Sequence, residues 1–65
     1  MSEFSVRACL GPGLFVDMDA YDSPEDARKG LPEIAEMVHE VPVFYTYDGK
    51  VIMTDKILFL EVGRI

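Results

Sequence analysis

A chain of 65 residues with a single cysteine has room for one small domain and no disulfide framework to brace it. At this size folding buries only about 60% of the surface that the unfolded chain exposes, and one core contributes about 3–5 kcal/mol. Twelve acidic residues against six basic ones leave a net charge of −6, which repels nucleic acid and anionic membranes and favours a basic protein partner.

An apolar fraction of 49% is that of a folded domain and argues against disorder. The first ten residues, MSEFSVRACL, lack a basic lead followed by an unbroken apolar run, so no signal peptide is expected. No apolar run approaches the length of about 20 residues that spans a bilayer. With one thiol and no lipidation motif, the expected compartment is a reducing cytoplasm.

In chain order, Phe4, Val6, Ala8 and Leu10 alternate with Ser5, Arg7 and Cys9, the period of a half-buried strand. Gly11-Pro12-Gly13 makes a turn. Leu14, Val16, Met18 and Ala20 then continue an apolar face, with Asp17 and Asp19 on the other, and the two runs read as a hairpin. Phe15 and Tyr21 share the acidic side and blur that alternation.

Ser23 to Glu40 is the helical stretch. Ser23 is a favoured N-cap, Pro24 suits the first helical position, and Asp26 lies three residues after the cap. At about 100° per residue, Ala27, Leu31, Ile34, Ala35, Val38 and Val41 fall within about one third of the circumference. Glu25, Lys29, Glu33, Glu36 and Glu40 fall within about 80° on the opposite side. Gly30 and Pro32 interrupt the stretch. Either one helix kinks near Gly30, as the continuous apolar stripe favours, or a first helix ends there and Pro32 opens a second. The glycine–proline spacing tips the reading toward two short helices.

Val41 to Tyr47 is rich in β-branched and aromatic residues, and Asp48-Gly49 signals a two-residue type I′ hairpin turn. That turn would place Tyr47 opposite Lys50, Tyr45 opposite Ile52 and Val43 opposite Thr54. Phe44, Thr46, Val51 and Met53 would share the other face. Thr54-Asp55-Lys56 breaks the run, and Ile57 to Val62 reads as a last strand or a strand extension. The expected fold is a single α+β domain over residues 1–65, in ββααββ order. A small antiparallel β-sheet carries one kinked helix or two short helices packed on one face. Because one helical segment covers one face, either Tyr45, Tyr47 and Ile52 or Phe44, Val51 and Met53 stay partly exposed, unless the first hairpin folds over them.

Motifs for chemistry are lacking. Asp17-x-Asp19 resembles the start of a calcium loop, but Asp22 and Arg28 stand where that loop needs glycine and glutamate. Glu36-x-x-His39 has the spacing of a di-metal ligand pair, yet a second pair is required and His39 is the only histidine. No metal and no cofactor are expected. Cys9 has no base beside it in sequence, and carboxylates on a convex helix lack the cleft that splits their pKa values. An enzyme is not expected. Nor is direct nucleic-acid binding, because Arg7, Arg28, Lys29, Lys50, Lys56 and Arg64 are scattered.

Asp17, Asp19, Asp22, Glu25, Asp26, Glu33, Glu36 and Glu40 gather in the first two thirds of the chain. A solvated face with charges placed at favourable helix ends accounts for part of this, since Glu25 and Asp26 complement the positive end of the dipole. The other reading is a surface for a basic partner, with Tyr21, Tyr45 and Tyr47 as anchors. From Glu25 to Glu40 a helix rises about 22 Å and shows four carboxylates on one face. Duplex DNA carries one charge per about 1.7 Å, so such a surface imitates a few phosphates and not a whole groove.

The SPEDARKGLPEIAEMVHE segment, its acids and the following VPVFYTYDGKVIM hairpin resemble the small acidic phage-encoded anti-CRISPR proteins, including those acting on type I-C complexes. The likeness is one of size, charge and element order; these inhibitors share no motif, so it transfers no functional residue. It implies a monomeric inhibitor, in the host bacterial cytoplasm, that binds a Cas subunit of a type I surveillance complex and blocks target DNA from its basic, PAM-reading channel. The competing expectation is a small antitoxin-like or accessory interaction module whose exposed sheet face pairs with a partner or with itself as a homodimer.

Overall fold

A computed structural model describes residues 2–65. Five strands and one α-helix follow in the order β-β-α-β-β-β. β1 (Phe4–Gly11) and β2 (Leu14–Tyr21) form the first hairpin, and α1 (Pro24–Glu40) follows. β3 (Val43–Tyr45) and β4 (Val51–Met53) pair as a separate two-stranded sheet. A single 3-10 turn, Thr54–Lys56, leads to β5 (Phe59–Arg64), which returns to complete an antiparallel sheet of order β2-β1-β5. The expected α+β class holds, but the element order differs from ββααββ by one helix fewer and one strand more.

α1 is one helix, not two. Its start is as the sequence indicates: the Ser23 side chain accepts a hydrogen bond from the Asp26 N–H at 3.1 Å. Pro32 does not end it, because that residue lies on the exposed side, where water can satisfy the carbonyl of Arg28 that the proline leaves without a donor. Gly30 is not a stop either. It is buried, and a Cβ at this position would lie 2.1 Å from the Tyr21 hydroxyl oxygen. The missing side chain is a notch that lets the tyrosine ring of β2 lie against the helix.

The core sits between the inner face of the three-stranded sheet, α1 and the small hairpin. Val6, Ala8, Met18, Ile34 and Ile52 are its buried centre, with Leu31, Val38, Phe44 and Leu60 packed around them. Ala27 and Ile34 of the predicted apolar stripe are buried, whereas Ala35 and Val41, at its margins, are exposed.

Two registers depart from the sequence reading. β1 and β2 pair Val6 with Asp19 but Arg7 with Asp17, so Met18 is an extra residue in β2, a β-bulge. The bulge drops Met18 into the core and turns Asp17 and Asp19 to opposite faces of the sheet, where strict alternation had placed them together. Phe15 and Tyr21 are separated in the same way.

In the second hairpin Tyr45 pairs with Val51, Phe44 with Ile52 and Val43 with Met53, one residue away from the type I′ register. The loop has three residues, not two. Thr46 N–H bonds to Lys50 O at 2.8 Å, Gly49 N–H bonds to Thr46 O at 3.2 Å, and Gly49 has φ +91°. This is a type I turn followed by a left-handed glycine, the alternative that Asp-Gly also permits. Thr46 decides between them: its hydroxyl accepts from the Lys50 N–H at 2.8 Å and donates to Asp48. That hydroxyl, with Lys50 beside it, holds the Asp48 carboxyl below the usual range. The one-residue shift exchanges faces. Ile52 and Phe44 point inward together, and Tyr45, Val51 and Met53 point out, so neither of the two sets expected to stay exposed is the exposed one.

Candidate functional site

The acids predicted to form one surface divide into three groups. Glu25, Asp26, Glu33, Glu36 and Glu40 are exposed along α1, on the side turned away from the sheet. Asp22, also exposed, lies just before the helix and accepts from the Ser2 hydroxyl at 3.2 Å. Together these give an acidic outer flank, on which the exposed Arg28 and Lys29 also lie.

Asp19 is half-buried beside Tyr21 on the helix side of the sheet. The Tyr21 hydroxyl donates to its Oδ2 at 3.5 Å. Burial first, then the charge of Asp19, its hydrogen bond and the charge of Glu33, push the Tyr21 hydroxyl up from its ordinary value. Tyr21 therefore packs against Gly30 and within the core margin, with its hydroxyl at the edge of the acidic flank.

Asp17 stands apart on the opposite face. It accepts from the buried Ser5 hydroxyl at 2.6 Å and lies on β2 opposite Arg7 of β1. Arg7 bonds to Glu61 of β5 through Nε at 3.0 Å and Nη2 at 2.9 Å. Its guanidinium also lies 4.4 Å from the centre of the Phe15 ring, which meets Phe59 edge-on at 6.2 Å. This polar and aromatic layer explains a burial that the alternation of β1 did not suggest. Ser5 and Cys9 face away from the helix, yet they are shielded by Arg7 and by the two phenyl rings opposite Cys9 on its neighbours. The Cys9 thiol lies 3.2 Å from the carbonyl of Gly11.

Tyr45 and Tyr47 are exposed on the second hairpin, Tyr45 at 73%. They lie on a different element from the helix acids. The backbone N–H of Tyr47 donates to the carbonyl of Met18, at the bulge, at 3.3 Å and ties the hairpin loop to β2. His39 is exposed in the last turn of α1. Among the described residues no three His, Cys, Asp or Glu side chains converge as a metal site, and no helix is long and apolar enough to cross a membrane.

Sequence reasoning did not find one concave feature of the surface. A groove of about 460 Å³ is lined by Leu10 and Val16 from the first hairpin, by Val51, Ile52 and Met53 of β4 with Lys50 just before it, and by Lys56. No signal in the chain marks it, because it is assembled from segments some 40 residues apart by the docking of one hairpin on another. Comparison with protein-family models, curated proteins and solved structures finds no match to this chain.

Proposed function

We propose that the chain is a non-enzymatic binding protein whose acidic outer helix engages a basic surface on a protein partner. The supporting observation is the row of exposed carboxylates Glu25, Asp26, Glu33, Glu36 and Glu40 along one uninterrupted helix, outside the contacts that hold the fold. A helix without a break presents these groups at a fixed rise, which two loosely joined helices would not. Asp22 extends the flank at the helix start, Asp19 is half-buried beside Tyr21, and Asp17 does not belong to the flank. Charge of this kind accelerates encounter with a basic patch and rejects acidic competitors.

The identity of the partner rests on the anti-CRISPR resemblance alone. On that reading it is a Cas subunit of a type I surveillance complex, and the helix occupies the arginine- and lysine-lined site that would otherwise hold target DNA. The acids number too few to replace a groove of DNA, so the inhibitor acts at one local site. Reversing Glu33, Glu36 and Glu40 to lysine abolishes binding and restores DNA binding by the target complex, while the circular dichroism spectrum stays that of the parent. Undiminished inhibition by the triple variant would remove the helix as the working surface.

A second reading is favoured by a different observation. The outer face of the small hairpin shows Tyr45, Val51 and Met53, each more than half exposed. On an antitoxin-like or accessory module this face would be the contact, with a partner or with a second copy. Such a contact persists as salt rises, whereas engagement through the helix weakens steeply.

A further inference from the structure

We propose that the groove beside β4 is a binding site for a single-tailed carboxylate, an anion with an apolar body of fatty-acid type. The site is independent of the acidic helix, so the helix reading above can fail without affecting it; it shares Val51 and Met53 with the hairpin face of the second reading. Its volume of about 460 Å³ falls within the range of about 300–1,000 Å³ that small-molecule sites occupy. Its wall is apolar: Leu10, Val16, Val51, Ile52 and Met53 supply it, and no carboxylate lines it. That absence is notable in a chain with twice as many acids as bases.

The two remaining lining residues are both lysines, and they differ. Lys50 is held 3.0 Å from Asp48, so its charge is already answered and its methylene stem serves as wall. Lys56 is exposed and has no ion-pair partner among the described residues. It is the charge free to meet a ligand headgroup. Elsewhere, Arg7 and Arg64 are paired with Glu61 and Glu3, and Arg28 and Lys29 lie among the acids of α1. An unpaired cation beside an apolar groove therefore selects a ligand that is apolar along its length and negative at one end. A neutral amphiphile lacks the second feature, and a cationic one opposes it.

The experiment is amide-resolved NMR of the full chain titrated with octanoate below its micelle concentration, with 1-octanol and octylammonium in parallel. Octanoate should give saturable shifts centred on Leu10, Val16 and Val51 to Lys56, and bind more tightly than octanol, with octylammonium weakest. Lys56→Gln, at an exposed position, should weaken octanoate about two- to fivefold, the range one exposed ion pair supports, and leave octanol unchanged. Equal affinity for octanoate and octanol, or shifts centred on Phe15 and Phe59 of the open sheet face, would overturn the assignment. So would an absence of saturation. Shifts of the groove residues on raising the concentration of free protein would assign the groove to a second copy and overturn it equally.

Discussion

Tyr21 and Gly30 occupy what would otherwise be one volume, and their coupling can be measured. Alanine in place of glycine gains about 1 kcal/mol of helix propensity at an unconstrained interior position. Here the added Cβ would meet the Tyr21 hydroxyl at 2.1 Å, so the ring must leave its place. Gly30→Ala is expected to destabilise the chain by about 1–3 kcal/mol, the usual cost of overpacking. In a Tyr21→Leu background the same substitution should be neutral or stabilising. A double-mutant cycle by urea unfolding reads the difference, and additive effects would show that the notch is not what retains the glycine.

The same tyrosine makes stability depend on alkaline pH. Burial and the nearby carboxylates raise its pKa in the folded chain. As pH rises past about 10, the unfolded chain loses a proton that the folded chain still holds, so stability falls with pH until the folded tyrosine also ionises. Tyr21→Phe should flatten that decline. Tyr45 and Tyr47 are exposed and common to both proteins, so the difference between the two urea midpoint curves isolates Tyr21. Parallel curves would refute the assignment.

At the scale of the element, α1 carries a proline in its interior and remains one helix because of where that proline points. Ala27, Gly30 and Ile34 are its buried side, whereas Pro32 projects toward solvent. The lost hydrogen bond is therefore a cost borne in water and not in the core. Pro32→Ala restores a donor to the Arg28 carbonyl and removes the ring from it. It is expected to raise stability by about 1–3 kcal/mol, less whatever freedom the unfolded chain regains. Thermal unfolding checks this; a lower midpoint would mean that the proline holds a bend the packing needs. The second hairpin teaches a related lesson, since Asp48-Gly49 marked the turn correctly while Thr46 chose its length.

For the whole molecule, a net charge of −6 on 65 residues gives any basic partner a long-range pull that salt weakens. Reversing three glutamates changes two charges each and brings the net to zero, which by itself invites self-association. Glu33, Glu36 and Glu40 changed together to glutamine keep a net of −3 and give the cleaner test. If the helix is the working surface, this neutral triple variant should lose most of its association rate at low salt, and its rate should vary less with salt than that of the parent. An unchanged salt slope would place the contact elsewhere, with the face of Tyr45, Val51 and Met53 as the next candidate.

Much of this was legible without coordinates: the first strand from its alternation, the helix start from Ser23 and Pro24, the acid arc from its spacing, and the class from the order of patterns. These are local properties, set by periods of 2 and 3.6 residues and by capping groups within four positions of one another. Tertiary packing decided the rest. A bulge at Met18 separated Asp17 from Asp19, a tyrosine from another strand explained Gly30, and one threonine hydroxyl moved a hairpin by a residue and exchanged its faces. The groove between the two hairpins belongs to this second kind. Each depends on groups distant in the chain, or on a choice between turns of nearly equal local energy. A period read along one segment contains neither.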